Sequence, residues 1–266
     1  MADASGPFHT RRDVPDAVDP VVPDVPADAL VGRIGGDTIA ERLRTSVQAV
    51  QGRLVFTTSF GIEDQLIAHH IFTEKLPIEV VTLDTGRLFP TTYDVWQATE
   101  ERYGVRIKAF YPQADAVAAM VADSGINGFY HSKDARIACC GVRKVEPLGR
   151  ALAGAAAWVT GLRADQSGQR SSVPLAAWDG ERGLLKLAPL YDYTRDRVAA
   201  EVGPLGVAVN ELHAQGFLSI GCAPCTRALA PGEPERAGRW WWENDAAKEC
   251  GLHVGADGRL VRSNAA

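Results

Sequence analysis

Five cysteines stand at three places in the chain, and their spacing is the first sign of chemistry. Cys139 and Cys140 are adjacent, Cys222 and Cys225 enclose Ala-Pro, and Cys250 stands alone near the C-terminus. The two pairs supply four thiolates, enough to hold a zinc ion or an iron–sulfur cluster. Zinc is usually held by pairs two to four residues apart, because that spacing turns both sulfurs toward one ion. Adjacent cysteines suit it less well. The iron atoms of a cubane are spread in space, so neighbouring side chains can reach different corners, and the spacing favours [4Fe–4S] over zinc. Two other readings stay open. Cys139-Cys140 could be small buried hydrophobes, and Cys222-x-x-Cys225 could be a redox dithiol.

Cys250 has no partner in that four-ligand count. It lies in Lys248-Glu249-Cys250-Gly251-Leu252-His253. A thiol beside glycine, with a histidine three residues on, can serve as a nucleophile if nearby positive charge favours the thiolate. The alternative is an incidental cysteine at the end of the chain.

Cations gather around the cysteines. Arg136, Arg143 and Lys144 surround the first pair, and Arg236 and Arg239 follow the second. Arg163 and Arg170 sit in a polar loop between them. Arg and Lys give phosphate or sulfate charge-assisted hydrogen bonds; a solvated basic face is the alternative for each. The formal net charge is −5, so attraction of the whole surface to nucleic acid or an anionic membrane is not expected. An anionic substrate must be held by a local cluster.

These residues need elements to position them. Asp37 reads as the N-cap of a helix over about 38–51. Strands are expected at 54–58, 78–83, 106–110 and 157–160, with a further one near 184–190. Helices are expected at 63–73, 91–103 and 114–121. Strands alternating with helices imply a parallel twisted sheet with helices on both faces, an α/β fold. Ligands then bind beyond the carboxyl ends of the strands. Three loops fall there: 59–64, 84–87 and 161–170. In the first, Ser59-Phe60-Gly61 leads from strand to helix. Gly61 would admit close backbone approach, and the helix start offers free N–H groups; an ordinary turn is the alternative.

The chain has 266 residues, 46% hydrophobic and 23% charged, which suits one large α/β domain or two small ones. Residues 1–36 are rich in Asp, Pro, Val and Ala and read as a disordered arm. No apolar run reaches the ~20 residues of a membrane span, and no secretory signal opens the chain. A cytoplasmic protein is expected, in which cysteines serve as ligands or reactive thiols.

Taken together, these segments resemble the assimilatory adenylyl-sulfate and phosphoadenylyl-sulfate reductase family. The matching stretches are Thr58-Ser-Phe-Gly-Ile-Glu-Asp64, Leu83-Asp-Thr-Gly-Arg-Leu-Phe-Pro90, Cys139-Cys-Gly-Val-Arg-Lys144 and Thr160-Gly-Leu-Arg-Ala-Asp-Gln-Ser167 with Arg170. They continue in Gly221-Cys-Ala-Pro-Cys225, Glu235-Arg-Ala-Gly-Arg-Trp240 and Glu249-Cys-Gly-Leu-His253. The order is that of the family.

The resemblance implies an adenine nucleotide α-hydrolase-like fold of the PP-loop superfamily. The loop at Ser59 lacks that superfamily's usual second glycine, which counts against ATP pyrophosphatase activity. It further implies a nucleotide-binding reductase domain over 37–240 and a mobile tail over 241–266 that carries the catalytic residue Cys250. Cys139, Cys140, Cys222 and Cys225 would hold one [4Fe–4S] cluster. Lys144, Arg236 and Arg239 would bind the phosphosulfate. Ser59, Phe60, Gly61, Thr85, Gly161, Arg163, Arg170 and His253 would line the nucleotide site or its rim. The implied reaction is thioredoxin-dependent reduction of adenosine 5′-phosphosulfate to sulfite and AMP through an S-sulfocysteine, with thioredoxin as a separate protein. The alternatives are use of the 3′-phosphorylated nucleotide, dual specificity, a nucleotide-transfer enzyme with structural zinc, or a non-catalytic metal or redox module. A monomer and a homo-oligomer are both compatible with the sequence.

Overall fold

The structure, a computed structural model, describes residues 27–243. Six strands form one sheet in the order β3-β2-β1-β4-β6-β5. They are β1 (Arg53–Thr58), β2 (Ile78–Leu83), β3 (Lys108–Phe110), β4 (Ala155–Val159), β5 (Ala176–Asp179) and β6 (Leu184–Leu187). All neighbours run parallel except β5 and β6. The expected parallel sheet therefore carries one antiparallel edge strand. Only four residues join β5 to β6, and a parallel pair needs a crossover of a dozen or more. The hairpin is closed by Arg182, whose N–H and guanidinium both donate to Asp179, and by Gly183 at φ +64°.

Period-two alternation splits the sheet between two cores. Leu54, Phe56, Ile78, Val80, Ala157, Val159, Leu185 and Leu187 face one of them. Helices α2 (Ile39–Ala49), α3 (Ile62–Thr73), α4 (Pro90–Tyr103) and α8 (Arg195–Leu205) cover this face with Leu43, Leu66, Ile71, Val95 and Val198. Val55, Val81, Trp158 and Leu184 face the other, against Leu148, Ala151 and Leu152 of α7 (Glu146–Leu152). Each large apolar side chain so buried contributes about 1.5–3 kcal/mol. Helices thus lie on both faces, as the sequence implied. The short α1 (Ala27–Val31), α5 (Ala114–Ser124) and α6 (Lys133–Cys140) complete the set.

Two sequence expectations shift. The N-cap of α2 is Thr38 rather than Asp37. Thr38 Oγ1 accepts the Glu41 N–H at 3.2 Å, while Glu41 Oε2 accepts the Asp37 and Thr38 N–H groups. Only Thr38 has its glutamate three residues on, so only it can close the capping box. Of the arm expected over residues 1–36, the described part from residue 27 onward is packed at Leu30 and Ile34, which are buried, and Ile34 joins the larger core. Residues 1–26 lie outside the described residues.

Candidate functional site

Successive strands run β1, β2, β3 in one direction, and β4 then returns to the other side of β1. That reversal opens a crevice at the carboxyl ends of β1 and β4, where open α/β sheets bind ligands. A cleft of about 200 Å³ lies there. The segments after β1, β2 and β4 line it, joined by Lys144, residues 218–221 and the stretch from Glu235 to Trp240.

The loop after β1 is shaped by Phe60 and Asp64. Phe60 takes the left-handed backbone (φ +60°), donates its N–H to Thr58 Oγ1 and stacks its ring on Trp96 at 5.5 Å. The glycine beside it keeps an ordinary φ of −69° as the N-cap of α3, with no side-chain cap. The left-handed residue of this turn is thus Phe60 and not the glycine. Asp64 accepts both the Ser59 N–H at 2.6 Å and the Ser59 hydroxyl at 2.8 Å. Burial pushes the Asp64 carboxyl up to about 7, against the pull of the Ser59 hydrogen bonds, and Glu63 adds to the rise. Ser59 therefore spends its two donors inside the protein.

The first cysteine pair ends α6, and a π-helical turn over Gly141–Val145 follows before α7. The extra residue in that turn re-aims the side chains after it, as π-turns do at functional sites. Lys144 comes to the cleft wall and Arg143 donates to the Thr85 carbonyl at 2.7 Å. The second pair flanks a short 3₁₀ turn. Thr85 Oγ1 lies 3.3 Å from Cys222 Sγ, and the Ala223 N–H donates to the Arg87 carbonyl. Tyr130 Oη donates to the Pro224 carbonyl at 2.6 Å.

The structure packs Cys140, Cys222 and Cys225 into one buried cluster with Phe129 and Trp240, and Cys139 and Trp242 against it. All four thiols are unbridged. Burial pushes the Cys225 thiol up to about 12, and the neighbouring Cys222 adds to this. Burial also raises Cys139. Cys222 goes the other way: burial opposes its ionisation, but Lys144, the Thr85 hydrogen bond and Arg239 outweigh burial and lower it.

Trp240 joins this cluster to the cleft. It is buried at φ +44° and donates its N–H to the Cys225 carbonyl at 3.0 Å. Three guanidiniums lie over its rings, those of Arg136 at 4.5 Å, Arg239 at 4.8 Å and Arg236 at 5.9 Å. Arg136 is anchored in a bidentate pair with Glu243 at 2.8 and 2.9 Å. Arg239 is buried in the cleft wall, and its Nε has no hydrogen-bond partner among the described residues. It packs against Gly221, where a Cβ would stand 2.2 Å from the guanidinium.

Of the residues singled out in the sequence, Ser59, Phe60, Gly61, Thr85, Lys144, Gly161, Arg170, Arg236 and Arg239 line the cleft. Arg163 does not. It is fully buried and held by Glu63, Asp165 and Glu235. Cys250 and His253 lie outside the described residues. Asp64, Glu63, Gln166, Glu235 and Trp240 line the cleft although sequence reasoning assigned them no role. All five stand inside the motifs already singled out: Glu63 and Asp64 in the stretch after β1, Gln166 in the stretch after β4, and Glu235 and Trp240 at the two ends of Glu235–Trp240. Carboxylates in the wall of a cleft expected to hold an anion run against the simple charge expectation.

Among the described residues, no three His, Cys, Asp or Glu side chains are gathered as ligands of a single metal ion. A cluster of several irons asks for less convergence, since its ligands stand at separate corners. Four unbridged thiols in one apolar pocket, bordered by Arg136, Lys144 and Arg239, fit that kind of group.

Comparison with known proteins agrees with this geometry. The phosphoadenosine phosphosulfate reductase domain matches residues 53–228, from the first strand to just past the second cysteine pair. Adenosine 5′-phosphosulfate reductase of Agrobacterium fabrum is 54% identical over 85% of this chain and 86% of its own length. The protein of the same name from Allochromatium vinosum is 49% identical over 87% and 89%. Among solved structures, phosphoadenylyl-sulfate reductase from Candida auris superposes with a TM-score of 0.65 at 26% identity, covering 76% of this chain and 96% of its own. A parallel sheet with a nucleotide-type crevice, bordered by cations and paired cysteines, is thus carried by a chain that belongs to the phosphoadenosine phosphosulfate reductase family.

Proposed function

We propose that the chain is an oxidoreductase of sulfate assimilation that reduces adenosine 5′-phosphosulfate to sulfite and AMP, working in the cytoplasm with thioredoxin as reductant. One observation carries the reading: Lys144, Arg236 and Arg239 border a single cleft at the strand ends. An anion in the cleft would gain charge-assisted hydrogen bonds from these cations, each about 1.5–3 kcal/mol. The relatives named adenosine 5′-phosphosulfate reductase support that substrate over its 3′-phosphorylated form.

In this reading the Cys250 thiolate attacks the sulfate sulfur. The bond from sulfur to the phosphate oxygen breaks, AMP departs with that electron pair, and an S-sulfocysteine remains. A thiolate of reduced thioredoxin then attacks Cys250 Sγ and expels sulfite. The second thioredoxin thiol resolves the mixed disulfide, so one dithiol supplies the two electrons. Negative charge grows on the leaving phosphate during the first step. Lys144, Arg236 and Arg239 stabilise it more in the transition state than in the ground state. Cys139, Cys140, Cys222 and Cys225 would hold a [4Fe–4S] cluster, which supplies fixed charge and local order when bound. Lys144 stands between those two roles, at the cleft and beside the Cys222 sulfur.

The test is anaerobic incubation of the full chain with labelled adenosine 5′-phosphosulfate, then intact mass and peptide mapping. An added SO₃ on the peptide containing Cys250 is expected. Unmodified Cys250 with sulfite still released would overturn the mechanism. Faster turnover of the 3′-phosphorylated nucleotide in competition would overturn the substrate.

A further inference from the structure

Three carboxyl groups stand in the wall of a cleft proposed to hold a nucleotide anion: Asp64 is taken up by the two Ser59 donors, which leaves Glu63 and Glu235. Glu63 and Glu235 both line it, with side chains 11% and 15% exposed. Left uncompensated, they would repel the ligand that Lys144, Arg236 and Arg239 attract. Both converge on one fully buried guanidinium. Arg163 Nε donates to Glu63 Oε1 at 3.0 Å, and its terminal nitrogen donates to both Glu235 oxygens at 2.8 Å. Arg195 stands behind, 3.8 Å from Glu63 and 3.6 Å from Glu235.

We infer that Arg163, backed by Arg195, is a positioning residue of the anion site, which cancels the Glu63 and Glu235 charges and ties the loop bearing Arg236 to the start of α3. The inference rests on the reading of the cleft as a nucleotide-anion site. The three partners come from distant parts of the chain. Glu63 belongs to the first turn of α3, Arg163 follows β4, and Glu235 immediately precedes Arg236. A planar guanidinium suits this role, because its fixed fork can satisfy several carboxylate oxygens at once. The same turn reaches a further cation of the cleft. Gln166 Oε1 accepts the Arg163 N–H at 3.2 Å and also a guanidinium N–H of Arg170. Arg163 itself has no surface in the cleft, so it acts through these neighbours.

The test compares AMP with uncharged adenosine as probes, in equilibrium binding to the anaerobically purified full chain. Arg163→Gln should weaken AMP about tenfold or more, the scale of breaking a buried charge pair, and leave adenosine within about twofold. Adding Glu235→Gln should recover most of the AMP affinity, because it removes the charge that Arg163 cancelled. Should Arg163→Gln fail to fold, Arg195→Gln and Glu235→Gln carry the test: the first should weaken AMP and the second tighten it, with adenosine unmoved by either. Equal losses for AMP and adenosine, or no recovery in the double variant, would overturn the inference and leave Arg163 a purely structural residue. Arg239→Ala separates the premise: if that variant binds AMP as well as the parent does, the anion-site reading itself fails.

Discussion

Gly161 and Asp64 share one space: a Cβ at residue 161 would stand 2.2 Å from Asp64 Oδ1 and 3.4 Å from Glu63 Cβ. The loop after β4 therefore closes on the loop after β1 only because residue 161 has no side chain. The Asp64 carboxyl cannot retreat freely, since its other oxygen holds Ser59.

Gly161→Ala should accordingly destabilise the fold by about 1–3 kcal/mol, the usual range for overpacking. It should also slow sulfite formation by parting the two walls of the cleft. Denaturant midpoints and steady-state rates measure the two effects. Adding Asp64→Ala should restore part of the lost stability. Fully additive losses in the double variant would show that the two groups do not meet.

Asp64 also gives stability a pH dependence. Its carboxyl is raised from an ordinary value near 3.8 to about 7. Below about pH 4 the folded and unfolded chains both hold the proton, and Asp64 exacts no penalty. Between about pH 4 and 7 the unfolded chain has released its proton while the folded chain keeps it, so stability falls as pH rises. Above about pH 7 the loss levels off. Asp64→Asn removes this contribution. The gap between variant and parent midpoints should move in the variant's favour from about pH 5 to about pH 8, whatever constant offset the lost hydrogen bonds add. A gap that stays flat across that range would show that the buried carboxyl is already ionised.

The layout of this site was legible in the sequence to the extent that it follows local rules. The apolar run at Leu54–Phe56, the glycine after it and the helical period from Ile62 placed the first loop at a strand end. Spacing alone suggested that two distant cysteine pairs belong together, and the structure packs them in one cluster. What local rules could not supply was pairing across the chain. Arg163 looked like a ligand-facing cation because its partners, Glu63 and Glu235, lie 100 and 72 residues away. The edge strand Ala176–Asp179 was missed for a related reason. Two alanines give it no apolar alternation, and it is held by its ladder to β6. Phe60 carries the left-handed backbone next to a glycine, because the surrounding loop and the Trp96 stack hold it there.

Arg239 should prove more demanding than an ordinary surface cation. Its guanidinium lies over Trp240 against the bare Cα of Gly221, with Nε unsatisfied. Arg239→Ala removes a charge-assisted hydrogen bond of about 1.5–3 kcal/mol, so AMP affinity should fall roughly 10- to 100-fold. Arg239→Lys should rescue little of it, since an ammonium keeps the charge but has neither the forked donors nor the planar face that stacks on the indole. Full rescue by lysine would mean that charge alone matters there.

The thiols should separate into two classes. Cys139, Cys140, Cys222 and Cys225 pack within one pocket, and as the proposed ligands of one cluster each should be needed to hold it. Iron and acid-labile sulfide should fall well below the parent's content in Cys222→Ser, and turnover should fall with them. Cys250→Ser should behave oppositely: iron and sulfide stay at the parent level, AMP still binds, and sulfite formation stops. The nucleophile is then needed for bond breaking but not for assembly of the site. Elemental analysis, AMP binding and single-turnover sulfite release, run on both variants, distinguish the classes. Undiminished sulfite from Cys250→Ser would shift the nucleophile to one of the other four, and loss of iron from the same variant would make Cys250 a ligand instead.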